Sequence, residues 1–149
     1  MYERILVPID GSSTSRRGFD EALKLAKRLG TALHLLNIVD VPMVYGDVSG
    51  TLPPEELLAG WQASAEQLVA DAIAEARAAG VQADGIVRRD PGERVCDVIV
   101  QEAVKSQADL IVMGTHGRRG LRRLALGSDA ELVLRGTPVP VLLVRDPAE

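Results

Sequence analysis

The sequence has little cysteine, few aromatic residues and no long apolar run. Cys96 is the only cysteine among 149 residues, which excludes a disulfide framework and a cysteine-rich metal site. Its neighbours Val95, Val98 and Ile99 favour a buried, unreactive thiol. No stretch approaches the roughly 18 apolar residues of a membrane-spanning helix, and the start of the chain lacks the apolar core of a signal peptide. We therefore expect no membrane partner and a cytoplasmic location.

The sequence also has fewer basic than acidic residues. Lys and Arg number 17 against 21 Asp and Glu, which gives a net charge of −4. Non-specific binding to nucleic acids depends on an excess of Lys and Arg, so no nucleic-acid partner is expected and any anion site must be local. The length and the ordinary apolar content of 46% predict one soluble globular domain over residues 1–149.

Dense apolar runs alternate along the chain with stretches whose apolar residues recur every three or four positions. The runs predict five strands and the periodic stretches predict four helices, with Gly30 and Gly136 closing the first and last helix. Residues 40–53 show no period and form a long loop, which is a candidate lid. The predicted strands are 5–9, 32–39, 83–88, 109–113 and 139–144, and the predicted helices are 13–29, 57–76, 95–104 and 128–135.

This alternation predicts a doubly wound, Rossmann-like α/β fold. Five strands that alternate with four helices imply a parallel sheet with right-handed crossovers and helices on both faces. If the chain winds outward from the first strand and returns after the third, the strand order is 3-2-1-4-5. The switch point then falls between strands one and four, where ligands bind beyond the carboxyl ends of the strands. Residues 8–12 and 113–117 are expected to meet there.

A glycine-rich, basic stretch begins at that point, with the sequence GTHGRRGLRRLALGSD at residues 114–129. Gly114 and Gly117 allow peptide N–H groups to approach phosphate oxygens, and the helix that begins at Gly127 and Ser128 favours negative charge at its N-terminus. The Ser128 hydroxyl either joins the ligand or caps this helix. The alternative is a solvated basic loop. The loop contains four arginines, Arg118, Arg119, Arg122 and Arg123, and we expect at most two of them to reach a phosphate.

The spacing G-x2-G-x9-G-S is neither a Walker loop nor the dinucleotide fingerprint. Together with ILVPIDGS at 5–12, LLNIVD at 35–40, DLIVMGTHGRRG at 109–120 and GSDAELVLRGTPVPVLLVR at 127–145, it resembles the ATP-binding branch of the universal stress protein family over essentially the whole chain. The resemblance implies the adenine nucleotide alpha-hydrolase-like form of the Rossmann-like fold.

The resemblance also implies a site for ATP, with AMP or ADP as alternative ligands. It places adenine and ribose at Pro8, Ile9 and Asp10, and a backbone contact to the adenine at Ile38. Mg²⁺ is shared among the phosphate oxygens, with no protein ligand to the metal. The resemblance places Met113 and Gly114 near the ribose and phosphates, and it places Gly117, Gly127 and Ser128 around the triphosphate.

Two further residues are counted with the nucleotide-binding set, and none is counted as catalytic. His116 lies in the loop, where a structural or solvent-facing role is favoured over acid–base catalysis because no second catalytic group is evident beside it. Asp129 stands where the family usually has an apolar or hydroxyl side chain. Its carboxylate either repels the triphosphate, unless Mg²⁺ or an arginine intervenes, or complements the helix dipole.

The last strand is predicted to lie at the edge of the sheet. Its sequence PVPVLLVR is too apolar to be left open to solvent, which usually marks an interface, and Pro138 and Pro140 suit an edge strand. A homodimer through this strand is therefore predicted, and the resemblance implies the same assembly.

The favoured function is a nucleotide-dependent regulator of the stress response. Occupancy by ATP would alter the 40–53 loop or the dimer surface, and so the binding of an unidentified protein partner. The alternatives are a slow ATP hydrolase or nucleotidyl-transfer enzyme, and a partner-binding dimer without nucleotide. The regulator is favoured because Asp10 and His116 are the only nearby acid–base groups.

Overall fold

A computed structural model describes residues 1–39, 53–89, 92–116 and 126–145. Its strands are all parallel and follow the order β3-β2-β1-β4-β5, which confirms the predicted doubly wound sheet. Most of the candidate lid at 40–53 lies outside the described residues, as do Gly117 and the four loop arginines. The elements are β1 (Arg4–Pro8), α1 (Ser13–Leu29), β2 (Ala32–Ile38), α2 (Glu55–Ala78), β3 (Ala83–Arg88), α3 (Val95–Lys105), β4 (Leu110–Gly114), α4 (Ser128–Gly136) and β5 (Val141–Val144).

Alternate side chains of the strands supply two hydrophobic cores, one on each face of the sheet. On one face Val7, Leu35 and Val112 pack with α1 and α2 around Phe19. On the other face Leu6, Leu36 and Ile111 pack with α3 and α4 around Ile99. Burial of both faces explains why the middle of β1 and of β4 is a continuous apolar run with no polar alternation.

The first helix begins and ends as its sequence predicts. The Ser12 hydroxyl caps α1 by accepting a hydrogen bond from the Ser15 N–H at 3.1 Å, and Gly30 ends the helix in the left-handed region at φ +71°. The end of α4 differs from the prediction. Gly136 is still helical and Thr137 is the extended C-cap, because the residue before Pro138 is driven out of the helical region.

Cys96 lies in the first turn of α3 and is 2% exposed. This burial confirms the predicted buried cysteine, and it raises the pKa of the thiol, which disfavours the reactive thiolate. Across the four described ranges, no helix combines the length and apolarity needed to cross a membrane.

Candidate functional site

The switch point predicted from the sequence is present at the carboxyl ends of β1 and β4. β1 pairs with β2 on one side and with β4 on the other, so the chain leaves the sheet in opposite directions after these two neighbouring strands. The crevice that this creates is bordered by the turn after β1, the end of β2, the first turn of α1 and the start of α4.

The turn after β1 is built by its own polar groups. The Asp10 carboxylate accepts a hydrogen bond from the Ser12 N–H at 2.8 Å, and the Asp10 N–H donates to the Ser15 hydroxyl at 3.2 Å. Gly11 has φ +81°, a conformation that glycine adopts without strain. Asp10 therefore organises the entry to α1, and its half-buried side chain lies at the crevice as the sequence predicts.

The end of β2 is joined to β1 through a buried amide. The Asn37 side chain, 6% exposed, donates to the Ile9 carbonyl at 2.8 Å, and the Ile9 N–H donates to the Leu36 carbonyl at 2.8 Å. Backbone N–H and C=O groups alternate in direction along a strand. Those of Ile38 therefore point toward β1, like those of Leu36, at a position beyond Ile9. This orientation is the one that a backbone contact to a base in the crevice requires.

Gly114, at the end of β4, lies against the first turn of α1. A Cβ atom at Gly114 would lie 2.7 Å from the Thr14 carbonyl oxygen. A Cβ atom at Gly18, one turn further along α1, would lie 3.0 Å from the Gly114 nitrogen. The two glycines therefore let α1 cross β4 at close range, and Gly114 faces protein backbone. A Gly114→Val variant would consequently disturb packing as well as any ligand.

The start of α4 is held next to the end of β4. The Gly127 N–H donates to the Thr115 carbonyl at 2.9 Å, and a Cβ atom at Gly127 would lie 2.7 Å from the same oxygen. Gly127 is the N-cap of α4, and among the described residues no side chain caps this helix. The interpretation of Ser128 as the cap is therefore wrong, because Ser128 is already the first helical residue.

The remaining predicted residues divide between the core and the surface. The Ile9 and Met113 side chains are 5% and 7% exposed and pack into the two cores, so only their backbones border the crevice. Pro8 ends β1 and is half-buried, like His116, whose ring Nδ1 lies 3.1 Å from the Thr115 hydroxyl. Ser128 and Asp129 are exposed in the first turn of α4.

The first turn of α4 contains both groups that attract an anion and groups that repel one. The N-terminus of α4, which no side chain of the described ranges caps, offers backbone N–H groups and the positive end of a helix dipole. Asp129 and Glu131 place two carboxylates in the same turn, where they complement that dipole. The same two carboxylates would repel an anionic ligand at this helix end unless a cation lies between them and the ligand. Within the described ranges, no group of three or more His, Cys, Asp or Glu residues could hold a metal ion.

A separate charged cluster lies under α3, away from the crevice. His34 Nε2 lies 2.9 Å from the carboxylate of Glu102, and Arg88 donates to the same carboxylate at 3.1 Å. His34 also contacts Asp84, which Arg4 binds at 2.6 Å. Burial favours the neutral form of Asp84, but the hydrogen bonds from His34 and Arg4 outweigh it and lower the pKa of this carboxyl. The cluster joins β1, β2, β3 and α3.

Three residues that shape the crevice were not predicted from the sequence: Thr14, Gly18 and Asn37. Gly18 is an unusual residue within an amphipathic helix, and Asn37 is a polar residue within an apolar strand. Those two departures from pattern were the available signals. Two shallow concavities among the described residues lie elsewhere, one at the amino end of β3 beside Arg77 and one between α3 and α4 beside Leu132.

Comparison with known sequences points to one family. The profile of the universal stress protein family matches residues 1–145. A universal stress protein of Methanocaldococcus jannaschii is 33% identical over 151 residues, which cover 99% of this chain and 84% of that protein. A universal stress protein of Thermus aquaticus is 34% identical over 149 residues, which cover 97% of this chain and 100% of that protein.

Solved structures share the fold. A universal stress protein family member from Burkholderia pseudomallei has a TM-score of 0.76 at 29% identity, over 96% of each chain. A universal stress protein in complex with cAMP has a TM-score of 0.65 at 24% identity, over 97% of each chain. One from Archaeoglobus fulgidus in complex with dAMP has a TM-score of 0.65 at 21% identity, over 95% of this chain and 97% of that one.

Proposed function

Because the chain belongs to the universal stress protein family, we propose that it is a nucleotide-binding regulator that holds ATP in the crevice between β1 and β4. The observation that carries this proposal is the hydrogen bond from Gly127 to Thr115. It fixes the N-terminus of α4 at the switch point, where an α/β sheet binds ligands. Two proteins of the same fold were solved with the adenine nucleotides cAMP and dAMP, which supports an adenine ligand.

In this proposal each border of the crevice binds one part of the nucleotide. The Ile38 backbone contacts the adenine, and Asp10, already oriented by Ser12, binds the ribose. The phosphates lie at the N-terminus of α4 beside Ser128, together with Gly117, which is outside the described residues. Mg²⁺ bound through the phosphates offsets the charge of Asp129, and AMP or ADP would occupy the same place with fewer phosphate contacts.

Regulation is proposed in preference to catalysis because, among the described residues, Asp10 and His116 are the acid–base groups beside the crevice and both take part in its local structure. The Asp10 carboxylate accepts from the Ser12 N–H, and the His116 ring contacts the Thr115 hydroxyl. A general base must reach the proton that it abstracts. We therefore expect phosphate release near background, and a rate well above it that Asp10→Ala abolishes would identify a slow hydrolase instead.

The first test is direct detection of the ligand. Protein purified without added nucleotide is denatured and its supernatant analysed, and the apoprotein is then titrated with Mg-ATP, ADP and AMP by calorimetry. We expect an adenine nucleotide in the supernatant or a saturable heat of binding. A clean supernatant and no heat with any of the three would reject the proposal and favour the partner-binding dimer without nucleotide.

The second test locates the phosphates without disturbing the fold. Ser128→Asp adds a carboxylate at an exposed first-turn position, which favours the helix but repels phosphate oxygens. We expect at least tenfold weaker binding of ATP, about 1.4 kcal/mol, a smaller effect on AMP and an unchanged melting temperature. Ala74→Asp, on an exposed turn of α2, adds the same charge as a control. Equal ATP affinity in Ser128→Asp and the wild type would place the phosphates elsewhere.

A further inference from the structure

The first part of α2 extends past the sheet on the side of the crevice. α2 has 24 residues, and its buried residues are Ala65, Val69 and Ala76, so residues 55–64 include no buried position. Val69 is level with the middle of the sheet, because its Cγ1 atom would lie 2.7 Å from a Cβ atom on Gly85 in β3. α2 follows β2 and runs back along the sheet, so its N-terminal turns lie at the carboxyl ends of the strands.

Trp61 lies at the height where β2 ends. It is eight residues before Val69, or roughly 12 Å along the helix axis at 1.5 Å per residue. Along the strand direction, Val69 is level with Gly85 and with Leu35, which pairs with Gly85 in the sheet. The strand from Leu35 to Ile38 covers about 10 Å at 3.3 Å per residue. The helical turn that carries Trp61 is therefore level with Ile38, whose backbone is proposed to contact the adenine.

The helical phase places Trp61 on the side of α2 that faces the turn after β1. Trp61 and Leu68 are seven residues apart and so share one side of the helix. Leu68 marks that side, because its Cδ2 atom would lie 3.9 Å from a Cβ atom on Gly11. Long helical side chains also lean toward the helix N-terminus, which here is toward the crevice. The half-buried indole thus lies beyond Gly11, above the carboxyl ends of β1 and β2.

We propose that Trp61 is the wall of the nucleotide site against which the adenine base packs, an inference that rests on the proposed function. Indole and purine rings stack favourably, and stacking tolerates any base because every base has a π-face. Because stacking involves only the base, Trp61 would contribute equally to the affinity for AMP and for ATP. It complements the α4 N-terminus, which binds the phosphates.

The chain contains one tryptophan, so its intrinsic fluorescence reports on Trp61 alone. We expect AMP and Mg-ATP to change the emission saturably, with a midpoint equal to the calorimetric Kd. Trp61→Ala should weaken the binding of AMP and of ATP by the same factor, about tenfold or more. Trp61→Phe, which keeps an aromatic ring, should lose much less affinity than Trp61→Leu, which keeps only apolar bulk. Inorganic tripolyphosphate should bind the wild type and Trp61→Ala equally.

Gln67→Ala is the matched control, because Gln67 is exposed on the same helix and should leave every affinity unchanged. Circular dichroism establishes that each variant is folded. Wild-type affinity for AMP in both Trp61→Leu and Trp61→Ala would overturn the role of Trp61 and leave nucleotide binding intact. Absence of nucleotide binding by the wild-type protein would overturn the proposed function, and this inference with it.

Discussion

At the scale of single residues, two glycines determine how closely α1 approaches β4. A Cβ atom on Gly114 would lie 2.7 Å from the backbone of Thr14, and a Cβ atom on Gly18 would lie 3.0 Å from the backbone of Gly114. Sequence spacing marks Gly114 as a candidate phosphate contact, and the structure adds a packing role. That role was not predictable, because Thr14 and Gly114 are far apart in the sequence and meet only when the sheet has formed.

Gly114→Ala should therefore destabilise the fold. The added methyl group meets backbone atoms that cannot rotate away, and such overpacking costs about 1–3 kcal/mol in free energy of unfolding. Gly60→Ala, in α2, where no neighbouring atom of the described residues lies within 4 Å of the Cβ position, should instead stabilise by up to about 1 kcal/mol. Urea denaturation followed by circular dichroism measures both. A Gly114→Ala midpoint at or above that of the wild type would show that α1 does not lie this close to β4.

The buried carboxylate of Glu102 provides a second residue-scale prediction. Glu102 is 3% exposed and faces His34 at 2.9 Å and Arg88 at 3.1 Å. Glu102→Gln keeps the size but removes the negative charge that both neighbours face, and we expect a loss of about 3 kcal/mol in unfolding free energy. Glu131→Gln removes a carboxylate whose side chain is 49% exposed and paired with Arg135, and should cost less than about 0.5 kcal/mol. Similar urea midpoints for the two variants would contradict this account.

At the scale of elements, an ion pair joins α1 to α2. Arg16 donates to both carboxylate oxygens of Glu75, at 2.8 and 2.5 Å, and also pairs with Asp20 in its own helix at 2.9 Å. The hydrogen bond from Arg16 lowers the pKa of Glu75 below its ordinary value. A carboxyl whose pKa is lower in the folded state stabilises the fold above its unfolded pKa, and this contribution is lost as the pH falls through the folded pKa.

A double-mutant cycle of Arg16→Met and Glu75→Gln measures this tether. The two side chains are 54% and 42% exposed, so solvent screening limits the coupling to about 0.5–1 kcal/mol at neutral pH. The coupling should decline as the pH is lowered below about 4.3, the ordinary glutamate value, and should shrink in high salt. A coupling that is constant from neutral pH to the acid range would show that the charge of Glu75 plays no part.

Element boundaries followed the sequence where a local signal exists. Ser12 and Gly30 mark the ends of α1 because capping is a local interaction. The start of α2 at Glu55 precedes the first residue of the apolar stripe, because helical residues beyond the sheet need no apolar side. The interpretation of Ser128 as a cap failed by one residue, since Gly127 takes the N-cap position through its bond to Thr115.

At the scale of the whole molecule, strand order and the place of the crevice were predictable from the alternation of elements, because handedness and crossover rules leave few arrangements. Contacts within the crevice were not. In the sequence, Asn37 and His34 are simply polar residues within β2. Only the structure shows that the Asn37 amide donates to the Ile9 carbonyl and that the His34 ring contacts the Glu102 carboxylate. Such pairs depend on register and on which face each helix covers, which the periodicity of one segment does not specify.

The order of strands also leaves β5 at an edge of the sheet, where the sequence predicts a homodimer. Leu142 in this strand is 37% exposed, and an exposed apolar edge strand favours pairing with a second copy. In an interface with two-fold symmetry each copy presents the same patch, so Leu142→Arg would bring like charges together. We expect a dimer mass for the wild type by light scattering and a monomer mass for Leu142→Arg. Val104→Arg, at a 61% exposed position of α3, should remain dimeric, and a wild type that is monomeric at every concentration would contradict the predicted homodimer.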